Sequence, residues 1–131
     1  MALYSRHLMP DGFSYVLNLV KKNRLVVSTE VEEQDSFYAI MNIERKGLYP
    51  NLKVYFADVY ILTAADFDEI MDYNPDVNCI VVISNWNQYT VMAKQEARQN
   101  NIGLFTLEEF RKALNFRGEK FLDTGVDTDT E

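Results

Sequence analysis

The stretch from Ser84 to Thr90 gathers side chains that could bind a ligand. It reads SNWNQYT, follows the apolar run CIVVI, and holds the only tryptophan of the chain, Trp86, between Asn85 and Asn87. Amide groups beside an aromatic face are typical of a site for a planar polar ligand. Asn and Ser after a strand are also the residues that cap a following helix. The stretch therefore predicts either a ligand site or a strand-to-helix joint in which one asparagine is the cap.

Carboxylates are the second group of candidate ligands. Asp66, Asp68 and Asp72 lie in AADFDEIMDY, a segment with helical spacing. Asp66 and Asp68 diverge by about 200° around a helix, so they cannot easily hold one cation together. Asp68 and Asp72 share a face, which is more typical of a solvated helix surface. Asp66 is kept as a candidate ligand-binding residue because it follows the end of a predicted strand.

Several common chemistries lack their motifs in this chain. Neither the P-loop nor G-x-G-x-x-G occurs, which argues against classic nucleotide binding. Zinc sites need clusters of Cys and His, whereas the chain has one of each, Cys79 and His7. A Ser-His-Asp triad would have to use His7, and no G-x-S-x-G elbow is present. The single cysteine also excludes a disulfide framework and favours a reducing compartment.

Alternating strand and helix patterns position these residues. Apolar positions at i, i+3, i+4 and i+7 predict a first helix over 10–22, and capping boxes at Thr63 and Thr106 open later helices. A further helix is expected after Asn85 or Asn87. Short runs rich in Val, Ile and Tyr predict the strands, at 25–28, 53–62, 79–84 and 104–105.

The segment 29–47 is ambiguous. Its middle, FYAIMNIE, could be a strand, but its ends favour a helix. Thr29 and Glu32 have the spacing of a capping box, and Gly47 is a typical C-terminal stop. The ends therefore predict a helix. The alternative, that residues 37–46 form a strand, stays open and bears on the chemistry that this segment could perform.

The alternation predicts an α/β fold. We expect a single three-layer domain over 1–116, with a mainly parallel central sheet of about four strands and helices on both faces. Residues 117–131 end in TGVDTDTE and are expected to form a mobile, acidic polar tail. Ligands bind open parallel sheets outside the carboxyl ends of the strands. Asp66 and the SNWNQYT stretch follow such ends, so the predicted fold and the candidate ligand site agree.

Size and charge limit the partners. The 131 residues suffice for one domain without a metal or disulfide. The net charge of −7 disfavours non-specific nucleic-acid binding, although a local basic patch could suffice. The chain shows neither a signal-peptide pattern nor the roughly 18 consecutive apolar residues of a membrane span. We therefore expect a soluble, cytoplasmic protein without a membrane partner, which could bind another protein or form a homo-oligomer.

From residue 79 onward the chain resembles the closing half of restriction-endonuclease-like domains of the Mrr type. The shared features are an apolar strand ending in Ser, a helix containing AKQEAR, the turn and short strand NNIGLF, and the final helix TLEEFRKAL. The resemblance is limited to about residues 79–115. A receiver-like domain is a weaker resemblance, because the acidic pair expected after its first strand is missing.

The resemblance implies a metal-dependent nuclease site upstream. In that family an Asp at one strand end and an acid-x-Lys on the neighbouring strand hold a divalent metal that activates water. The matching letters here are Asp35 and the triplet Glu44, Arg45 and Lys46. No turn separates Asp35 from Glu44, so a strand would hold them roughly 30 Å apart and a helix about 13 Å apart. A hairpin with its turn near residues 32–36 would place Arg24 or its neighbours, and not an acid, opposite Glu44. Arg45 and Lys46 could instead complement a helix terminus.

Three functions remain open. The first is a nuclease-like-fold protein with a degenerate catalytic site, acting as a binding or regulatory accessory module in nucleic-acid processing. The second is an active nuclease that needs a divalent metal such as Mg²⁺, with Asp35, Glu44 and Lys46 as catalytic residues. The third is a small-molecule-binding or receiver-like module that uses Asn85, Trp86, Asn87 and Asp66. The acidic charge and the poor geometry of the catalytic triplet favour the first, for which no cofactor is expected.

Overall fold

A computed structural model describes residues 10–35, 37–83 and 88–126. Within these residues, strands and helices follow one another along the chain. In order they are α1 (Pro10–Lys21), β1 (Val26–Gln34), β2 (Tyr38–Arg45), β3 (Leu52–Ala57), β4 (Ile61–Leu62), α2 (Ala64–Tyr73), β5 (Cys79–Val82), β6 (Gln88–Tyr89), α3 (Val91–Gln99), β7 (Gly103–Thr106), α4 (Leu107–Ala113) and α5 (Gly118–Leu122).

The main sheet is mixed. Its five strands lie in the order β1-β2-β3-β5-β7. The pairs β1–β2 and β2–β3 are antiparallel, and the pairs β3–β5 and β5–β7 are parallel. A second, two-stranded parallel sheet joins β4 to β6. The predicted mainly parallel sheet of about four strands is therefore wrong, because the first three strands form an antiparallel meander.

The predicted helix over 29–47 is also wrong, since this segment forms most of the antiparallel pair β1–β2. Thr29 pairs with Ile43 across the two strands, and the side chain of Glu32 accepts a hydrogen bond from Asn42 instead of closing a capping box. The strand β2 is buried on both faces for much of its length, as in Ile40 and Met41. β-Branched and aromatic residues pack well on such a surface, and this long-range packing outweighs the helical signals at the ends.

Each face of the sheet has its own hydrophobic core. On one face, Met41, Val54 and Phe56 pack with buried residues of α1, α4 and α5. On the other, Ile80 and Leu104 of β5 and β7 pack with buried residues of α2 and α3. Successive strand residues point to opposite faces of a sheet. Phe56 therefore belongs to the first core, and Ala57, the next residue of β3, belongs to the second.

Of the predicted starts of α2, α3 and α4, those of α2 and α4 are confirmed and that of α3 is wrong. Thr63 and Thr106 open α2 and α4 with complete capping boxes. Helix α3 is capped by Thr90, whose hydroxyl oxygen accepts a hydrogen bond from the N–H of Ala93 at 3.1 Å. Neither Asn85 nor Asn87 is therefore its cap.

Residues 117–126, expected from the sequence to begin a polar tail, contain helix α5 and pack on the domain. Phe121 is buried and meets the ring of Phe105 edge-on at 5.1 Å. Asp123 forms an ion pair with Arg98 at 2.9 Å. A Cβ at Gly103 would lie 2.6 and 2.7 Å from these two phenylalanine rings, so glycine permits their close approach. Residues 127–131 lie outside the described part of the chain.

Candidate functional site

The predicted catalytic residues are not brought together. Asp35 lies in the turn before β2, and Glu44 lies near the far end of that eight-residue strand. About 20 Å therefore separates the two backbones, because Asp35 lies opposite Tyr38 and six strand steps lead from Tyr38 to Glu44. Carboxylates that share a divalent ion lie within about 2 to 2.6 Å of it. Glu44 instead accepts a hydrogen bond at 3.0 Å from the hydroxyl of Ser28 on β1. Lys46 follows the strand and is exposed.

Arg45, between Glu44 and Lys46, is a buried structural residue. Its guanidinium donates to the carbonyl of Pro50 at 2.9 Å and to those of Leu114 and Phe116 at 3.1 and 2.8 Å. Leu114 is the C-terminal cap of α4, where unpaired carbonyls carry the negative end of the helix dipole. Arg45 therefore complements a helix terminus, but that helix is α4.

The predicted ligand residues Asn85, Trp86 and Asn87 lie outside the described residues. Asp66, the fourth of that set, lies in the first turn of α2. Its Oδ2 accepts hydrogen bonds from the N–H and the hydroxyl of Thr63, both at 3.0 Å. The carboxylate of Asp66 therefore closes the capping box, and it also lines the cleft described next.

A cleft of about 540 Å³ lies between the strands β2 and β3 and helix α2. Its wall on α2 comes from positions i, i+3, i+4 and i+7, which share one helix face. Its lining residues are Glu33, Phe37, Tyr38, Tyr55, Ala57, Val59, Asp66, Glu69, Ile70, Tyr73 and Asn74. We call this feature the tyrosine cleft.

Two stacked tyrosines form the base of the tyrosine cleft. The rings of Tyr38 and Tyr55 are parallel to within 1°, and their centroids are 5.1 Å apart. The two residues come from the neighbouring strands β2 and β3, in which Tyr38 pairs with Ala57. The Tyr38 hydroxyl donates a hydrogen bond to Glu33 at 2.5 Å. Tyr73, on the α2 wall, is 79% exposed, so the cleft combines a fixed aromatic base with an open aromatic wall.

The tyrosine cleft is negatively charged. Glu33, Asp66 and Glu69 are its charged lining residues, and no Lys or Arg is among the described residues that line it. The hydrogen bond to Glu33, together with burial, raises the pKa of Tyr38 to about 12. Burial, with smaller contributions from neighbouring charges that include Glu69 and Glu33, raises the pKa of Tyr55. Both phenols are therefore neutral at physiological pH, and the surrounding charge favours a cation.

The carboxylates of the tyrosine cleft do not form a chelating set. Within the described residues, no group of three or more His, Cys, Asp or Glu side chains is arranged to hold a metal ion. Glu33 comes from β1 and is bonded to Tyr38, while Asp66 is engaged in the capping box. Among the described residues, Glu69 has neither a hydrogen-bonded nor an ion-paired partner. Glu69 is therefore the carboxylate best placed to meet a ligand.

A second acidic depression is lined by residues of α2 and α3. Asp68 and Asp72 of α2 and Glu96 of α3 are among its lining residues. A hydrogen bond with Asp68 raises the pKa of Glu96 above its ordinary value. Such a bond requires a proton on one of the two carboxyl groups, so the pair is favourable only while that proton is present.

Glu96→Gln is expected to stabilise the protein at pH 7 and to have a smaller effect at pH 4. A carboxyl group whose pKa is raised in the folded state contributes stability below its unfolded pKa, and that stability is lost as the pH rises through the folded pKa. Glutamine keeps a hydrogen-bond donor to Asp68 at every pH. Melting temperatures at the two pH values test this, with Glu30→Gln on β1 as a control of equal charge. An equal gain for Glu96→Gln at both pH values would contradict the shared proton.

The residues of the tyrosine cleft, apart from Asp66, were missed in the sequence prediction. The signal that could have found them is the alternation along FYAIMNIE and KVYFAD, which places Tyr38 and Tyr55 on one face if both segments are strands. Treating residues 29–47 as a helix removed Tyr38 from that face. The second signal is the helical spacing of Asp66, Glu69 and Tyr73, which share one side of α2.

Comparisons with protein-family models, with curated proteins and with solved structures found no match for this chain. Helices that are long and apolar enough to cross a membrane do not occur among the described residues.

Proposed function

We propose that this protein is a nuclease-like-fold module without a working metal site, which acts by binding, as a regulatory or accessory factor in nucleic-acid processing. The observation that carries the proposal is the composition of the tyrosine cleft, in which aromatic and apolar residues occupy the positions on β2 and β3 and no chelating set is formed by the described residues. The resemblance of residues 79–115 to Mrr-type domains supports the nuclease-like part.

The residues that β2 and β3 contribute to the tyrosine cleft support the loss of a metal site. The resembling family places an Asp on one strand and an acid-x-Lys on its neighbour. At the tyrosine cleft, β2 contributes Tyr38, and β3 contributes Tyr55 and Ala57, two residues apart. A tyrosine pair and an alanine supply neither a carboxylate for the metal nor a lysine that could stabilise phosphate charge.

A second possible match to the acid-x-Lys pattern of that family, at the end of β3, is also incomplete. Asp58 follows the strand directly, is 1% exposed, and its N–H donates a hydrogen bond to the carbonyl of Phe37 at 3.2 Å. It lies at the same end of the sheet as Asp35, which precedes β2. The residue two positions after Asp58 is Tyr60, where an acid-x-Lys would require lysine. The degenerate site therefore has better support than the active nuclease.

The charge of the tyrosine cleft favours a protein partner over nucleic acid. Affinity for a phosphate backbone comes mainly from clustered Lys and Arg, whereas the charged lining residues of the cleft are all acidic. The chain as a whole carries a net charge of −7. A role in nucleic-acid processing would therefore pass through contacts with another protein.

Metal titration and a cleavage assay test the proposal. We expect no saturable heat in calorimetry with Mg²⁺ or Mn²⁺, and no cleavage of plasmid or linear DNA with either ion. Glu44→Ala, Lys46→Ala and Asp58→Asn should leave these results unchanged. Metal-dependent cleavage that disappears in the Glu44→Ala and Lys46→Ala variants would instead establish the active nuclease, and cleavage lost with Asp58→Asn would place the metal at the end of β3.

One observation favours a second candidate, a small-molecule-binding module. The volume of the tyrosine cleft, about 540 Å³, lies within the range of about 300–1,000 Å³ that is usual for small-molecule sites. A thermal-shift screen against small organic amines and guanidines separates the two functions. A compound that raises the melting temperature of the wild type but not of Tyr73→Ala would favour this candidate.

A further inference from the structure

The tyrosine cleft combines the two features that recognise an organic cation. A cation within about 6 Å of a tyrosine ring is attracted to the face of that ring, and Tyr38 and Tyr55 present rings at the base of the cleft. A carboxylate pairs with a guanidinium through two parallel hydrogen bonds. Glu69, one turn along α2 from Asp66, supplies a carboxylate at the same cleft.

The arrangement fits a planar cation better than a metal ion. The three carboxylates come from β1 and from two turns of α2, and two of them already accept hydrogen bonds, from the Tyr38 hydroxyl and from Thr63. A metal would require several oxygens within about 2 to 2.6 Å of one point. A guanidinium instead spreads its charge over a plane, stacks on aromatic rings and needs only one carboxylate to pair.

The residues at the rim of the tyrosine cleft provide an apolar surface for the protein segment that carries this cation. Tyr73 and Phe37 are 79% and 45% exposed, and Val59 and Ile70 add apolar surface beside them. Aromatic residues and arginine are enriched in the buried centres of protein interfaces. The net charge of −7 would also attract a basic partner over a distance.

We propose that the tyrosine cleft binds an arginine side chain of a basic partner protein, with the guanidinium against the Tyr38–Tyr55 stack and paired with Glu69. This inference rests on the proposed function, because it names the partner chemistry of the same metal-free module. Flanking residues of the partner contact Tyr73 and Phe37 at the rim.

An NMR titration with matched peptides tests the proposal. The probe is a capped peptide of alternating Gly and Arg, with two counterparts in which lysine or citrulline replaces arginine. Citrulline keeps the shape of arginine but is neutral. We expect the arginine peptide to shift the amide signals of the cleft residues, the lysine peptide to bind more weakly, and the citrulline peptide not to bind. Glu69→Gln and Tyr73→Ala should each weaken the arginine peptide about tenfold.

The control separates this site from general attraction to an acidic protein. Asp76→Asn combined with Glu119→Gln removes two exposed carboxylates outside the cleft, and it should change the affinity less than about twofold. Glu69 and Tyr73 are exposed, so their variants should fold, and their amide spectra check this. Equal weakening by the control variant, or signal shifts spread evenly over the surface, would overturn the proposal.

Three further results distinguish failure of this inference from failure of the proposed function. If N-acetyl-arginine amide binds the cleft as tightly as the peptide, the ligand is a small guanidine and the partner-protein inference fails. If neither the peptide nor Mg²⁺ or Mn²⁺ binds, the inference fails while the absence of a working metal site stands. If a metal binds and supports cleavage, the proposed function itself fails.

Discussion

Replacing Arg45 with methionine is expected to lower the free energy of unfolding by about 3–5 kcal/mol. The guanidinium donates hydrogen bonds to three carbonyls, those of Pro50, Leu114 and Phe116. Methionine fills part of the space but donates nothing, so these carbonyls lose their donor in a region where Arg45 itself is 4% exposed. Each buried polar group without a partner costs about 1–3 kcal/mol.

The aromatic surroundings of Arg45 add to this loss. The guanidinium carbon lies 5.4 Å from the ring centroid of Tyr49 and 5.5 Å from that of Phe121. Burial lowers the pKa of Arg45 from its ordinary value, yet an arginine keeps its charge at neutral pH. The substitution therefore removes a charged contact that joins the end of β2 to α4 and α5.

Urea unfolding at pH 7 measures the effect of Arg45→Met, with Lys46→Ala as the control. Lys46 is the exposed neighbour of Arg45, and its removal should change stability by no more than about 0.5 kcal/mol. We expect a lower urea midpoint for Arg45→Met with an unchanged slope. A loss below about 1 kcal/mol would mean that water satisfies the three carbonyls, and the structural role of Arg45 would then be refuted.

Local signals in the sequence predicted the structure correctly where the interacting residues are close in sequence. The boxes that begin at Thr63 and Thr106 need only a partner three residues away, Asp66 and Glu109, and both form as predicted. Thr29 with Glu32 has the same spacing but lies in a strand. The difference comes from the pairing of β2 with β3 and from its burial, which local spacing does not encode.

The tyrosine cleft could not be predicted for the same reason. Its base requires the pairing of Tyr38 with Ala57 across two strands, and its wall requires the packing of α2 on that face. Asp66 alone was predicted, because it follows a strand end. The role of Arg45 likewise depends on carbonyls 69 and 71 residues away. Residues that are distant in sequence form both features, so chain order alone reveals neither.

Replacing Lys94 with methionine is expected to lower the free energy of unfolding by about 2–3 kcal/mol at pH 7. Lys94 is 5% exposed, and its ammonium donates hydrogen bonds to the carbonyls of Leu104 and Thr124 at 2.6 and 2.8 Å. The same ammonium lies 4.5 Å from the ring centroid of Phe105. Methionine keeps the packing but leaves both carbonyls without this donor, and it removes a tether between α3 and the segment after α5.

The pH dependence of the Lys94→Met effect provides a second readout. Burial, opposed by the charge of Glu109, lowers the pKa of Lys94 to about 8. In the unfolded chain this pKa is about 10.4, so between the two values the unfolded state binds more protons than the folded state. The contribution of Lys94 to the free energy of unfolding should therefore increase as the pH rises above 8. The Lys94→Met variant should not show this increase.

Urea midpoints at pH 7, 8 and 9 for the wild type and Lys94→Met test both expectations, with Lys22→Met as the control. Lys22 is exposed, so its removal changes the net charge equally and should change stability by no more than about 0.5 kcal/mol at each pH. Limited proteolysis should also cut Lys94→Met sooner near residues 118–126, because Thr124 has lost its contact with α3. A difference in urea midpoint between the wild type and Lys94→Met that stays constant from pH 7 to 9, with no faster cleavage, would contradict both expectations. It would show that the ammonium is charged and solvated throughout and does not hold the C-terminal segment.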